Sequence, residues 1–320
     1  MKDTALCYSI GALLYCPAHN ETIAGSVICQ KIPAPFSLAL CLEDTIADAF
    51  VTQAETILIS SLQKIEAARQ TCHFYLPKIF IRIRRPEQIV HLYQKAGNAR
   101  GLITGFIAPK FSPENAGRYI DEIVNLNQTA ASPVSLMPVL ESPSLIDLRT
   151  RCDMLYSIKD KIAPAAELIP NIRVGGNDLC HAFGLRRQKT QAIQEIQPVS
   201  QILSDIITVF GMEYIVSGPV WEYYATEGWE DGLRRELELD RLNGFVGKTI
   251  IHPKQIPVVN RAYQVSKADF HDACSILNWD PGAASLVSGS LESGRMNECL
   301  THSNWAKKIC ALAEAYGIEK

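Results

Sequence analysis

Short apolar segments alternate with longer amphipathic segments along most of the chain. Eight of the short segments are apolar or β-branched and are bounded by Gly, Pro or charged residues, which predicts eight strands. Between them, apolar residues recur at helical spacing, and a proline lies near the start of several of these segments, where its missing N–H costs little. The predicted strands cover 10–16, 36–42, 78–84, 101–108, 134–140, 171–176, 212–217 and 248–252, and the clearest helices 44–70, 86–96, 113–127, 143–159 and 229–243.

This alternation predicts an α/β fold built on a parallel sheet with helical crossovers. Eight repeats favour a closed (β/α)₈ TIM barrel over an open doubly wound sheet, and no glycine-rich nucleotide-binding fingerprint follows any strand. The pattern changes after residue 262. We therefore predict a barrel catalytic domain over 1–262 and a linker with a C-terminal helical lid or extension over 263–320, with a Gly/Ser/Ala-rich connector at 281–294 and helical spacing at 296–316.

Composition excludes several classes of protein. Of the 320 residues, 47 % are hydrophobic and 20 % charged, so the chain can bury a large core. The net charge of −3 and the absence of a Lys/Arg block argue against nucleic-acid binding, and no apolar segment approaches the roughly 20 residues of a membrane span. The ten cysteines show no C-x-x-C pair and no zinc spacing, which favours reduced thiols in the cytoplasm.

Polar residues follow most of the predicted strands. Catalytic groups of parallel barrels lie at the carboxyl ends of the strands, so these side chains are expected to converge on one mouth. They are His19, Asn20, Glu43, Asp44, Arg82, Arg84, Lys110, Glu141, Asn177, Asp178, His252 and Lys254.

Glu141 and Asp178 form the best candidate pair for Mg²⁺, since each stands after an apolar strand and Mg²⁺ binds through one or two carboxylates, water and substrate oxygens. Arg82 suits a substrate carboxylate or a developing oxyanion. It lies in the sequence Ile-Phe-Ile-Arg-Ile, where a charge is costly unless it is paired.

Each candidate also has a purely structural interpretation. Glu43 and Asp44 are placed where first-turn acids of a helix occur, and Asp178 where a helix N-cap occurs. Lys110 and Lys254 are equally consistent with solvated loops. His252, at a strand end, is as consistent with a hydrogen-bonded structural histidine as with a catalytic one.

The order of short motifs resembles that of the citrate lyase β-subunit-like family, in the HpcH/HpaI aldolase/citrate lyase superfamily that includes malyl-CoA lyases. The similarity extends over nearly the whole chain. The motifs are Leu-Tyr-Cys-Pro-Ala at 14–18, Cys-Leu-Glu-Asp-Thr-Ile at 41–46, Ile-Arg-Ile-Arg at 81–84, Pro-Lys at 109–110, Leu-Glu-Ser at 140–142, Gly-Gly-Asn-Asp-Leu at 175–179, Gly-Phe-Val-Gly-Lys-Thr-Ile-Ile-His-Pro-Lys-Gln at 244–255 and Gly-Arg-Met-Asn-Glu at 294–298.

The resemblance implies roles for individual residues. Glu141 and Asp178 would be the Mg²⁺ ligands, Asp44 would hold metal-bound water, and Arg82 would bind the substrate carbonyl or carboxylate. Glu298 would support proton transfer over a barrel mouth, often that of a neighbouring subunit, which implies a homo-oligomer, a trimer or larger.

The implied activity is that of a Mg²⁺-dependent carbon–carbon lyase or aldolase. Its substrate would be a small 3-hydroxy or 2-keto carboxylic acid or its acyl-CoA thioester, cleaved through a metal-stabilised enolate. Lys110 and Arg84 are expected to bind that substrate, and an arginine at 84 beside Arg82 indicates a more anionic ligand, such as a phosphate or a dicarboxylate.

The chain also departs from the family pattern. Cys41 stands where the family has Asp, Arg84 where it has Asn, and Asn177 where it has Glu; smaller departures occur at Ala18, Ser112 and Glu298. Two other hypotheses therefore stay open. One is a catalytically diverged barrel that binds a metabolite or a protein partner, and the other is an enzyme of the same fold with a phosphoenolpyruvate-type reaction.

Overall fold

The structure is a computed structural model that describes residues 4–225, 227–280, 282, 284–290, 292 and 294–319. Four positions of the predicted connector (281, 283, 291 and 293) and the ends of the predicted domains (1–3 and 320) lie outside these residues.

Seven parallel strands form the central sheet of the described chain. Their order is β6–β5–β4–β3–β2–β1–β7, so neighbours in the sheet are neighbours in the sequence, apart from the β1–β7 contact that brings the two ends of the barrel together. The strands are β1 (Ala12–Pro17), β2 (Ser37–Cys41), β3 (Lys78–Arg82), β4 (Ile103–Ala108), β5 (Ser135–Leu140), β6 (Arg173–Val174) and β7 (Lys248–Ile250).

The segment 215–218 completes the ring between β6 and β7. Val216 bridges Ile172 and Gly218 bridges Lys248, both in parallel. The amide of Val246 also donates to the carbonyl of Val216 at 2.9 Å. The seventh predicted strand is therefore present as this short bridging segment, and the predicted (β/α)₈ barrel is confirmed.

Twelve α-helices lie in the described residues. They are α1 (Thr4–Ser9), α2 (Ile23–Ile28), α3 (Val51–Arg69), α4 (Gln88–Lys95), α5 (Pro113–Asn127), α6 (Arg151–Ile162), α7 (Gly176–Ala182), α8 (Gln197–Phe210), α9 (Trp229–Leu242), α10 (Ile256–Ala262), α11 (Lys267–Leu277) and α12 (Ser303–Tyr316). No helix among them is long and apolar enough to cross a membrane.

Two apolar clusters divide the core, because successive strand residues point to opposite faces of the sheet. The smaller cluster fills the barrel with one face of the strands, including Leu13, Ala39, Phe80, Ile107 and Met137. The larger cluster joins the other strand face to the surrounding helices. The filled barrel leaves the strand ends as the place for polar chemistry.

The predicted helical extension is confirmed, with one correction. Residues 296–298 were assigned to a helix, but they form strand β9 (Met296–Glu298), which pairs antiparallel with β8 (Val287–Gly289). The hairpin packs on α11, where Asn297 Nδ2 donates to Asp272 Oδ1 at 3.0 Å. A strand of three residues is too short to show a periodicity of its own, so the helical spacing that follows it in the sequence masks it.

Helix α12 lies at the amino end of β1. The Tyr316 hydroxyl donates to the carbonyl of Tyr8 at 2.7 Å, and its ring is within 3.4 Å of where a Cβ on Gly11 would lie. Polar groups at the carboxyl ends of the strands lie at the opposite end of the barrel. A lid role for the extension therefore remains a prediction that requires a second copy of the chain.

Candidate metal centre and active site

Seven polar side chains lie at the carboxyl ends of the first six strands. We call them the mouth cluster: Tyr15, Glu43, Asp44, Arg82, Lys110, Glu141 and Asp178. Apart from Tyr15, all were singled out from the sequence. These residues interact with one another through hydrogen bonds, ion pairs or longer-range electrostatic attraction and repulsion.

Arg82 lies at the centre of the cluster. Its Nη2 is 2.9 Å from Glu43 Oε2, and 3.0 Å from both Asp44 Oδ2 and Glu141 Oε1. Arg82 is only 7 % exposed, and a charge buried to that extent requires compensation. The three carboxylates supply it, so the paired arginine expected from the strand sequence is present.

Lys110 contacts the same three acids from the loop after β4. Its Nζ lies 2.8 Å from Glu43 Oε1 and 3.4 Å from Asp44 Oδ1, and its backbone amide donates to Glu141 Oε1 at 2.9 Å. The backbone adopts φ +47°, a left-handed conformation that persists only where the surroundings hold it. Lys110 therefore contacts the acids of the site, while its side chain stays 54 % exposed, as in a solvated loop.

Glu141 is the most buried acid of the cluster, at 4 % exposure. Burial raises its pKa to about 7; the charge of Asp178 adds to the rise, while Arg82 and the Lys110 amide oppose it. Residue 175 must be glycine here, because a Cβ on Gly175 would lie 2.2 Å from Glu141 Oε2. The glycine of the 175–179 motif thus makes room for this carboxylate.

Asp178 lies in the first turn of α7, whose N-cap position is Gly175. The N-cap interpretation of Asp178 is therefore wrong. The charge of Asp178 contributes to the raised pKa of Glu141, so the two predicted ligands lie near enough to interact electrostatically.

Glu43 and Asp44 precede a loop, not a helix. The predicted helix 44–70 begins only at Val51, after a short 3₁₀ turn at Asp48–Phe50, so the first-turn interpretation of these acids is wrong. Burial favours a raised pKa for Asp44, but the hydrogen bond with Glu43 and the charges of Arg82 and Lys110 hold the pKa below its ordinary value.

The charge balance of the mouth cluster suits a divalent cation. Four carboxylates (Glu43, Asp44, Glu141 and Asp178) face two cationic side chains (Arg82 and Lys110), which leaves two negative charges when all are ionised. Within the described residues, no three His, Cys, Asp or Glu side chains are arranged to hold a metal. Two carboxylates with water and substrate oxygens are what Mg²⁺ commonly uses, so the residues present fit this ion.

Arg84 makes different contacts from those expected of a substrate ligand. Its Nε donates to the carbonyl of Leu42 at 2.6 Å and its Nη2 to that of Glu43 at 3.1 Å, with further contacts to the Ile46 carbonyl and Asp48. All three guanidinium nitrogens are thus occupied by protein oxygens. Binding of the substrate by Arg84 therefore stays a prediction, and the contacts seen here are with the protein's own loop.

Glu298 makes no hydrogen bond or ion pair with the mouth cluster within the described residues. It pairs with Val287 in the β8–β9 hairpin, and its backbone amide donates to His302 Nδ1 at 2.9 Å. Its carboxylate has no hydrogen bond or ion pair with any described residue. A catalytic role for Glu298 therefore stays a prediction.

His252 is held as a structural group. Its Nδ1 accepts from the amide of Lys254 at 3.2 Å, and its ring stacks on Tyr224 with centroids 4.4 Å apart. Burial and the charge of Lys254 lower the pKa of His252. Lys254 itself is exposed, which agrees with a solvated loop residue.

The sequence reasoning missed two polar residues on the barrel strands. The Arg82 guanidinium lies over the ring of Tyr15 on β1, 5.8 Å from the ring centroid. Arg173 on β6 is fully buried and makes hydrogen bonds with Asn171 and Thr249. Arg173 carries the same signal as Arg82, a charge within an apolar strand. It could have been found in that way.

Comparison with known proteins places the chain within one group. A family model described as C-C_Bond_Lyase, of the TIM-barrel fold, matches residues 4–318. A (3S)-malyl-CoA thioesterase of Cereibacter sphaeroides is 50 % identical over 40 residues, a stretch that covers 12 % of this chain and 14 % of that protein.

Solved structures agree with the fold. The CitE protein of Mycobacterium tuberculosis in complex with magnesium, acetoacetate and coenzyme A has a TM-score of 0.61 at 17 % identity, over 96 % of this chain and 99 % of that chain. A citrate lyase β subunit from the same organism, complexed with oxaloacetate and magnesium, has a TM-score of 0.53 at 18 % identity, over 81 % and 98 % of the chains. RipC of Yersinia pestis has a TM-score of 0.55 at 17 % identity, over 82 % and 99 %.

Proposed function

Because the chain belongs to the C–C bond lyase family of TIM-barrel proteins, we propose that it is a Mg²⁺-dependent carbon–carbon lyase or aldolase of the citrate lyase β-subunit-like type. Its substrate would be a small 3-hydroxy or 2-keto acid, or the corresponding acyl-CoA thioester. The observation that carries this proposal is the mouth cluster, in which a buried guanidinium and two neighbouring carboxylates lie at the carboxyl ends of the strands.

Glu141 and Asp178 would hold the Mg²⁺ ion, and Asp44 would orient its water. The bound ion would supply Lewis-acid stabilisation of negative charge on a substrate oxygen. Arg82 supports this assignment because its position beside Glu141 places a fixed positive charge next to the proposed ion. Such preorganised charge stabilises a transition state at little reorganisation cost.

The reaction requires a proton acceptor and a sink for an electron pair. In cleavage, the substrate hydroxyl would give its proton to a carboxylate, for which Glu298 of a second copy is the candidate. The hydroxyl carbon would become a carbonyl, and the breaking carbon–carbon bond would leave its electron pair in an enolate. Transfer of a proton to the enolate carbon would then complete the reaction. Arg82 and Lys110 would bind the carboxylate or thioester carbonyl that carries this charge. Lys110 contributes an exposed ammonium whose pKa is raised, chiefly by its hydrogen bond with Glu43, so it stays positive at neutral pH.

The ligands of the solved relatives support this substrate class. Acetoacetate and oxaloacetate are small keto acids, and coenzyme A is bound in one of these complexes. We extend the class, not the individual compounds, to this chain.

Glu298 would act on the mouth of a second copy. Its carboxylate lacks a hydrogen-bond or ion-pair partner in the described residues, and its hairpin packs on α11. A homo-oligomer, a trimer or larger, would bring Glu298 and a neighbouring mouth together, as closed symmetry allows.

A metabolite screen tests the function. The protein is incubated with Mg²⁺ and a panel of 3-hydroxy acids, 2-keto acids and their CoA thioesters, and binding is scored by the rise in melting temperature and turnover by product formation. The proposal expects turnover of at least one compound that is lost in Asp178→Asn and retained in Glu114→Gln, an exposed acid on α5. Ligand-induced stabilisation without any turnover would instead indicate a diverged metabolite-binding barrel.

A further inference from the structure

Arg84 holds the backbone of the loop that presents Glu43 and Asp44. We propose that Arg84 is a positioning residue, which fixes residues 42–46 so that the two carboxylates face Arg82 and Lys110. The inference rests on the proposed function for the meaning of the site, but the loop geometry stands on its own contacts.

The oxygen atoms of the loop 42–46 have two kinds of partner. Arg84 binds backbone carbonyls, those of Leu42, Glu43 and Ile46. The guanidinium of Arg82 and the ammonium of Lys110 instead bind side-chain carboxylates of the same loop. Arg84 therefore fixes the backbone of the loop. Arg82 and Lys110 then bind the carboxylates that this backbone conformation directs toward them.

The base of Arg84 is itself rigid. The amide of Arg84 donates to Gln88 Oε1 at 2.7 Å, and Gln88 Nε2 donates to Glu55 Oε1 at 2.8 Å. Both side chains are buried; Gln88 is the first residue of α4, and Glu55 lies within α3. The backbone of Arg84 is thus anchored through Gln88 to two helices of the barrel wall.

Only a guanidinium matches this arrangement. Its donors lie in one plane on three nitrogens, so it can reach several carbonyls spread along a loop, whereas an ammonium presents its donors from a single atom. Lysine at position 84 would keep the charge but lose contacts to at least one of the carbonyls. The departure from the family asparagine at this position therefore has a structural explanation.

A solvent-connected cavity makes the idea testable by chemical rescue. A cavity of about 640 Å³ is lined by Arg84, Arg85 and Asp48 among others. Truncation of Arg84 to alanine would enlarge this space, and a free guanidinium ion is small enough to enter it. Arg85 lines the same cavity, but its side chain makes no hydrogen bond or ion pair with the described residues, so Arg85→Ala is the matched control.

The experiment compares the wild-type protein with Arg84→Ala, Arg84→Lys and Arg85→Ala. Mg²⁺ affinity is measured by calorimetry, and amide exchange of residues 43–46 by mass spectrometry. In Arg84→Ala we expect Mg²⁺ binding about tenfold weaker, the scale found for groups that orient metal ligands, and faster exchange in the loop. Arg84→Lys should be intermediate, and Arg85→Ala should match the wild type.

Rescue separates positioning from general stability. Millimolar guanidinium chloride, far below the molar concentrations that unfold proteins, should restore both affinity and loop protection in Arg84→Ala. Unchanged affinity and exchange in Arg84→Ala would overturn the proposal, as would a loss that guanidinium does not reverse. If the wild-type protein binds no Mg²⁺, the proposed function fails, and the exchange rates with and without guanidinium decide the role of Arg84 alone.

Discussion

Arg82 and Glu141 form a buried ion pair at the mouth of the barrel, with Nη2 and Oε1 3.0 Å apart. Burial still raises the pKa of Glu141 to about 7, because the loss of hydration outweighs the attraction of Arg82. The carboxyl group therefore lies close to its midpoint at neutral pH. A cation bound beside it would keep it ionised, which is the behaviour expected of a metal ligand.

The first prediction concerns the metal ligands. Glu141→Gln and Asp178→Asn should each reduce Mg²⁺ binding below detection in calorimetry, because each removes one of two carboxylates from the proposed site. Glu114→Gln, which removes an exposed acid, should bind as the wild type does. Equal and negligible heats in the wild type and in Glu141→Gln would remove the metal from the mechanism, whereas equal and large heats would place the ion away from Glu141.

The second prediction concerns pH. The ionised form of Glu141 is the ligand, and below a pKa of about 7 the protonated form predominates, so protons compete with Mg²⁺. Affinity should therefore fall as the pH falls from about 7 to about 5, by up to tenfold per unit. Calorimetry in buffers of different ionisation enthalpy should also detect proton release on binding. An affinity that does not vary over this range would contradict the assignment of Glu141.

The third prediction concerns Arg82. Arg82→Met leaves Glu43, Asp44 and Glu141 without their shared guanidinium, and removal of one partner of a buried pair costs about 3–5 kcal/mol in the free energy of unfolding. Urea unfolding measures this cost.

A double-variant cycle isolates the contribution of the pair. Addition of Glu141→Gln to Arg82→Met should recover part of the lost stability, because the most buried of the three charges disappears. Strict additivity of the two changes would show that the residues are not coupled.

The fourth prediction separates structural from functional ion pairs. Lys248 lies with its Nζ 2.6 Å from both Glu236 Oε1 and Asp240 Oδ2, and all three side chains are fully buried between β7 and α9. Lys248→Met should therefore lower the free energy of unfolding by about 3–5 kcal/mol. Lys254→Met, at an exposed position, should leave it unchanged, and Mg²⁺ affinity should be unaffected in both folded variants. A large loss of Mg²⁺ affinity in Lys248→Met would link this network to the site.

Local sequence patterns predicted the strands well, because a barrel strand buried on both faces gives a short apolar segment bounded by polar residues. Glu141 and Asp178 followed from the same pattern, as single acids after such segments. The segment 215–218 is less regular, since it makes only two bridges, and the sequence overestimated it as a full strand.

The direction of a side chain after a strand is less predictable. Arg82 and Arg84 stand two residues apart in one strand sequence, yet Arg82 binds carboxylates and Arg84 binds the carbonyls of another loop. The choice depends on where the loop 42–46 runs. The conformation of that loop depends on tertiary contacts, so the sequence at 81–84 alone does not determine it.

The last prediction concerns Glu298 and the oligomer. If Glu298 serves a neighbouring mouth, Glu298→Gln and Asp178→Asn should each be inactive alone on the substrate found by the screen. In a mixed oligomer, some mouths combine an intact Asp178 from one chain with an intact Glu298 from the other. Refolding the two variants together should therefore restore about one quarter of wild-type activity, the fraction expected for random assembly in a symmetric ring.

Mixing without refolding is the control, and the assembled mass is measured by light scattering. A monomeric wild-type protein, or a refolded mixture as inactive as its components, would confine Glu298 to its own barrel, where its hairpin packs on α11 instead of the mouth cluster.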